Sequence, residues 1–105
     1  MAQTFTNAVA NNVTTVTTVY TAPGATTGVM VGLLVANDSG TDTTVTVSVT
    51  KGATTVNVLN SAPLPAGSNM SVLSNNNRLV LLTGNSISVT AANAVDVVAS
   101  VLELT

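Results

Sequence analysis

Residues 28–37, read as GVMVGLLVAN, constrain the fold more than any other stretch of this chain. From 29 to 36 every residue is apolar or glycine. Val29, Val31, Leu33 and Val35 fall on one parity, and Met30, Leu34 and Ala36 on the other. The run is too short to span a bilayer. Apolar on both parities and bounded by Gly28 and Asn37, it reads as a strand covered on both sides, in the middle of a β-sandwich.

The flanking segments keep the strand period. Val45, Val47 and Val49 alternate with Thr44, Thr46, Ser48 and Thr50, so one face is apolar and the other hydroxylated. Residues 13–21, VTTVTTVYT, are mostly β-branched, which disfavours a helix and suits a strand with a bulge. Residues 54–62, 69–74, 79–82, 86–91 and 95–104 supply further strands, with 79–82 read as buried because it is wholly apolar. Turn residues separate them, at Pro23-Gly24, Lys51-Gly52, Asn75-Asn76-Asn77 and Thr83-Gly84-Asn85 among others. The loop 38–42, which contains Gly40, predicts an antiparallel hairpin between the strands on either side. Pro63 and Pro65 exclude a central strand and mark a crossing between two sheets. The expectation is an all-β chain of about eight strands and no helix, an antiparallel β-sandwich of jelly-roll-like form. Residues 1–12 are small and polar apart from Phe5 and Val9, and read as an extended N-terminal arm on a single domain over 13–105.

Charge is the outlying quantity. Just 6% of the 105 residues are charged, namely Lys51, Arg78, Asp38, Asp42, Asp96 and Glu103. An ordinary domain has about a quarter. Two separated cations cannot form the basic stripe that nucleic acid requires. The N-terminus shows no secretory pattern and no segment has transmembrane length, so the expectation is synthesis in a cytoplasm and no membrane partner.

Catalytic chemistry finds little to work with. Cysteine and histidine are absent, which removes thiolate sites, disulfides and the commonest general base. The Ser and Thr hydroxyls have no imidazole to activate them, and Lys51 sits in a turn where its charge is ordinary. The oxygen-rich loop 37–42 lacks the alternating acids and distal glutamate of a calcium loop. Asp96 and Glu103 lie seven apart on one strand, on opposite faces and about 23 Å apart, too far for a glycosidase pair. A pairing of either with Asp38 or Asp42 stays open. The reading is no enzyme, no cofactor and no metal. A carbohydrate-binding module for host attachment is an alternative, weakened by having just Phe5 and Tyr20 as aromatic platforms.

Val/Thr strands with so little charge leave sheet edges without the usual protection against pairing with other chains. One solution buries the edges in a closed homo-oligomer, a trimer by preference, or in a larger lattice. A soluble monomer coated with Thr and Asn is the alternative.

From residue 19 onward the chain resembles small all-β virion proteins of tailed bacteriophages. The resemblance is carried by VYTAPGATTGVMVGLLVAN (19–37), TTVTVSV (43–49), APLPAGSNMSVL (62–73), RLVLLTGNSISVTA (78–91) and AVDVVASVLEL (94–104). Members often carry an acid after the glycine of the 79–86 hairpin, where this chain has Asn85, and the arm 1–12 has no counterpart among them. The resemblance implies a structural role without catalysis: a capsid decoration (cement) protein on the virion surface, stabilising the head shell. A neck, tail or fibre component is the runner-up. The implied partners are the major capsid protein, other virion proteins and further copies of the chain. The contacts expected from this reading are Phe5 and Val9 in the arm, Asp38 and Asp42 in one loop, and Asn76 and Arg78 in another.

Overall fold

β-Branched residues dominate the chain, and in the computed structural model they settle into nine strands with no helix among the described residues, 2–73 and 78–105. The strands are β1 (Gln3–Val13), β2 (Thr17–Thr21), β3 (Thr27–Asn37), β4 (Thr43–Lys51), β5 (Thr54–Leu64), β6 (Asn69–Ser71), β7 (Leu79–Leu81), β8 (Ser86–Ala91) and β9 (Val95–Leu104). Sheet A has the order β1-β9-β3-β6, with β7 also paired to β3, and sheet B has the order β2-β8-β4-β5. Every pairing is antiparallel.

The pairs are nested. β1 pairs with β9, β2 with β8, β3 with β6 and β7, and β4 with β5. This is a long hairpin rolled up so that successive layers alternate between two sheets, which is the jelly-roll topology. β6 and β7 share one strand's place, against residues 34–36 and 28–30 of β3 respectively. The nine strands therefore fill eight positions. Of the stretch 1–12, read from sequence as an extended arm, residues 3–12 together with Val13 form β1 along the edge of sheet A.

The core lies between the sheets. Met30, Leu33, Val35, Leu81, Val95, Val97, Ala99 and Val101 point inward from sheet A, and Val45, Val47, Ile87 and Val89 from sheet B. β3 keeps its inward residues in place with a bulge. Met30 lies opposite Val101 and Gly32 opposite Ser100, so Val31 is the extra residue and parity switches across it. Hence Met30, Leu33 and Val35 are buried while Leu34 is not.

Three expectations are corrected here. β3 is central in sheet A but is covered on one face alone, because the second sheet occupies one side and, among the described residues, no further element packs on the other. In the apolar segment 79–82, Leu81 is buried whereas Val80 and Leu82 are exposed, for the same reason. The loop 38–42 does not close a hairpin. β3 and β4 belong to different sheets, and the loop carries the chain across the end of the sandwich.

Asn37 explains how that crossing is held. Its buried side chain donates Nδ2–H bonds to the carbonyls of Thr41 (2.9 Å) and Leu64 (3.0 Å). Its Oδ1 accepts from the Ser39 backbone N–H (3.0 Å) and hydroxyl (2.7 Å). Its backbone N–H donates to the Ser68 carbonyl, and its carbonyl accepts from the Gly67 N–H. One residue thus ties the end of β3 to its own loop, to β5 of the opposite sheet and to the segment leading into β6. A local amide network of this kind overrides the preference of a short loop for a hairpin. The true hairpin is β4–β5, where Lys51 lies opposite Thr54 and Gly52 takes a φ of 59° that suits a two-residue turn.

Two outcomes are expected. Leu33→Ala should cost about 2–5 kcal/mol in a urea melt, whereas Leu34→Ala should change stability by less than about 1 kcal/mol. Equal losses would contradict the bulge at Val31. Asn37→Asp keeps the shape but removes both Nδ2–H donors and faces an anion toward two carbonyls. It should cost at least about 2 kcal/mol by the same melt.

Candidate interaction surface

The two outer faces of the sandwich differ in chemistry. On sheet B the outward residues form hydroxyl-bearing rows: Thr46 lies opposite Thr90, Ser88 lies between Thr18 and Ser48, and Thr50 lies between Ser86 and Thr55. The Thr18 and Ser88 hydroxyls lie 3.3 Å apart, and those of Thr50 and Thr55 3.0 Å apart. Hydroxyls in such rows can bond with one another and with water, which favours a hydrated face.

On sheet A two of the outward rows are apolar. β9 alternates without interruption between β1 and β3, with Val95, Val97, Ala99 and Val101 inward and Asp96, Val98, Ser100 and Leu102 outward. Phe5 lies opposite Leu102, Leu102 opposite Val29, and Val29 opposite Val80. Val9 lies opposite Val98, and Val98 opposite Leu34. Two apolar rows therefore cross the outer face. Between them Asn7, Ser100 and Gly32 form a lower row. A shallow hollow of about 500 Å³ opens there beside Phe5 and Ser100. Phe5 is 78% exposed and Val9 71% exposed, far from the usual state of such side chains.

Of the residues singled out in the sequence, Phe5 and Val9 are thus brought onto one surface. The strand places them four apart on one face of β1, and β9 supplies their neighbours. Asp38 and Asp42 belong to neither apolar row. The Asp42 carboxylate accepts a bond from the Ala66 N–H (3.0 Å), and its carbonyl accepts one from Asn93 Nδ2 (3.1 Å), so it holds loops together at one end of the sandwich. Asp38 is exposed and meets Asp96, the pairing left open by the sequence. Asp96 in turn accepts a bond from the Asn12 N–H (3.1 Å). Arg78 is exposed at the entry to β7. Asn76 lies outside the described residues.

The residues missed from sequence are Val29, Leu34, Val80, Val98 and Leu102. Their signal was present, because β3 and β9 are apolar on both parities. A two-layer sandwich has one interior, and with no helix predicted, nothing in the chain remained to cover a second apolar face.

A separate polar contact closes the other end of sheet A. The Tyr20 hydroxyl donates to Glu103 Oε2 at 2.7 Å. Burial, the bond to Glu103 and its charge all push the Tyr20 hydroxyl pKa up. The ring lies against Gly28, where an added Cβ would come within 2.8 Å of the hydroxyl oxygen and 2.9 Å of a ring carbon. Glycine is required there by close approach. A further open hollow, of about 630 Å³, lies where the β4–β5 hairpin parts from β7, with Val49, Val56, Val80 and Leu82 on its walls and Lys51 at its rim. Among the described residues, no group of three or more His, Cys, Asp or Glu side chains converges to hold a metal ion.

No family model matches this chain, and a search of curated proteins gives no match. Among solved structures, a protein of Bacillus endospore appendages, described as a novel family of disulfide-linked pili, superposes with a TM-score of 0.54 at 14% identity, over 99% of this chain and 87% of that one. That likeness is one of fold. Two crystal structures of a pentameric capsid protein isolated from metagenomic phage sequences align over 91% of this chain at 20% identity and a TM-score of 0.47. This chain spans 59% of one of those chains and 60% of the other.

The Asp38–Asp96 contact sets a pH expectation. The hydrogen bond to Asp96, then its charge, raises the Asp38 pKa above its ordinary 3.8. A raised acid holds its proton more tightly in the folded state. The pair's contribution is therefore complete below the ordinary carboxylate range and is lost as pH rises through the raised folded value, above which the two charges repel. Asp38→Asn should raise the melting midpoint relative to wild type at pH 7, and the difference should vanish near pH 3. Thermal melts at the two pH values check this, and an unchanged midpoint at pH 7 would contradict the repulsion.

Proposed function

We propose that the protein is a structural subunit of a phage virion, most specifically a decoration protein that seats the outer face of sheet A against the major capsid protein at junctions of the head shell. The observation that carries the reading is the contrast between the two outer faces, one hydroxylated and one crossed by apolar rows led by Phe5 and Val9. An exposed apolar patch of this kind on a charge-poor chain marks an interaction site. The resemblance over 19–104 supplies the virion context. Subunits of this kind add contacts that exist only in the assembled shell, which stabilises it by mass action. Asp38 and Arg78, both exposed, are the polar contacts at the rim of the seat, with Asp42 holding the loop that presents Asp38. The protein acts without catalysis, and a trimer is the closed form in which it sits on the shell. It shares its fold with a protein of disulfide-linked pili, and its 105 residues include no cysteine.

Two measurements test the reading. Antibody-gold labelling of virions should decorate the head. Label at one vertex or the tail would move the protein to the neck or fibre, and no label with a working antibody would end the virion reading. Phe5→Ser with Val9→Ser should melt like wild type, because both side chains are already exposed. Its occupancy on purified shells should fall about tenfold to a hundredfold, the equivalent of about 1.5–3 kcal/mol of lost apolar burial.

A further inference from the structure

Sheet edges, unlike faces, carry unpaired backbone groups, and four of the five edge segments here are protected. β2, β6 and β7 are short. β5 is long, but its register with β4 shifts twice, Ser61 has a φ of 50°, and Pro63 removes a donor. β1 carries such devices at its C-terminal end alone, where its register with β9 shifts between Ala10 and Val13 and Asn12 has a φ of 52°. From Gln3 to Ala10 its register with β9 is unbroken, and it contains no proline and no charge. Among the described residues its pairing is with β9 alone, which leaves about 27 Å of edge with N–H and C=O groups open to a further strand.

The sequence of that edge is symmetric in chemistry about Asn7. Phe5 and Val9 lie two residues to either side on the outer face, and Thr6 and Ala8, then Thr4 and Ala10, flank it on the inner face. We infer that β1 pairs antiparallel with β1 of a second copy of this chain, about a two-fold axis at Asn7. In this register Phe5 lies opposite Val9 of the partner subunit, and Asn7 opposite Asn7 of the partner subunit. Thr6 lies opposite Ala8 of the partner subunit, so the inner face carries small side chains alone. The apolar row Val80–Val29–Leu102–Phe5 then runs on into the row that begins at Val9 of the partner subunit, making one continuous band across both sheets.

The occupant is a second copy rather than another protein for two reasons. The edge offers no charge that would select a foreign strand. Its apolar positions match their own reversed order, which a second copy supplies. Pairing over 4–10, the window that is symmetric about Asn7, forms about six to eight new backbone hydrogen bonds. A two-fold contact does not close a trimer, so in a trimeric assembly it links neighbouring trimers. The association needs no shell, and its test is independent of the virion reading.

The test is sedimentation equilibrium of the full chain from about 1 to 100 μM. Wild type is expected to show a monomer–dimer equilibrium in this range. Asn7→Lys and Asn7→Glu place like charges directly opposite each other and should each weaken association about tenfold. An equimolar mixture of the two should restore it as a 1:1 pair, which no contact away from a dyad at Asn7 produces. Asn7 is exposed, so both variants should melt like wild type. Because the chain has no cysteine, Asn7→Cys gives a second measurement. Opposed residues in antiparallel strands lie about 4.5–5.5 Å apart between Cα atoms, within disulfide reach. Oxidation should give a covalent dimer, whereas Asn11→Cys should not cross-link to itself but should cross-link to Gln3→Cys. A wild type that stays monomeric at about 100 μM, or charge variants that associate as wild type does, would overturn the inference.

Discussion

The uninterrupted pleat of β9 is the constraint on which the rest of the structure depends. It is hydrogen-bonded on both sides, to β1 and to β3, and its inward residues Val95, Val97, Ala99 and Val101 are all buried. Side chains alternate strictly along a strand, so fixing that face fixes the other. Asp96, Val98, Ser100 and Leu102 must then point outward, and each neighbouring strand adopts the same assignment. Where β3 cannot satisfy it by alternation, the bulge at Val31 restores the parity. The apolar outer rows are thus a consequence of the core's register.

Such a face is unfavourable for an isolated molecule in water and becomes useful when covered. Six side chains carry all the formal charge of the sequence. Of these, Asp42 braces loops, Glu103 receives the Tyr20 hydroxyl, and Asp96 receives the Asn12 N–H. Charge is therefore spent inside the architecture and little is left to keep copies apart. On sheet B solubility rests on hydroxyl rows, and on sheet A nothing comparable is present. The asymmetry gives the molecule one hydroxylated and one largely apolar outer face.

Much of this was legible without coordinates. The alternation of Val45, Val47 and Val49, the turn at Lys51-Gly52, the prolines at 63 and 65 and the lack of any helical period led to an antiparallel sandwich, and the jelly roll follows from its nested pairing. Phe5 and Val9 stood out as large side chains in a polar segment, and they lie together on one surface. Less legible were the partners of those residues. Val98 and Leu102 are close in sequence to equally apolar Val97 and Val101, and composition does not distinguish a buried valine from an exposed one. The bulge at Val31 was invisible for the same reason, since every candidate for the extra residue in that run is apolar or glycine.

The sequence by itself determined the class of fold and the poverty of charge, because strand period, turn chemistry and residue counts are local properties. It also determined that two strands were apolar on both parities in a chain with no helix to cover them. The tertiary structure decided which parity faces inward, that the loop 38–42 crosses between sheets, and that β1 lies along an open edge. These choices depend on contacts between residues far apart in the chain, such as the Asn37 amide on Leu64 and the opposition of Phe5 to Leu102. Local propensity carries no information about such partners. They are selected when the two sheets close on one core and leave one face of each sheet outside.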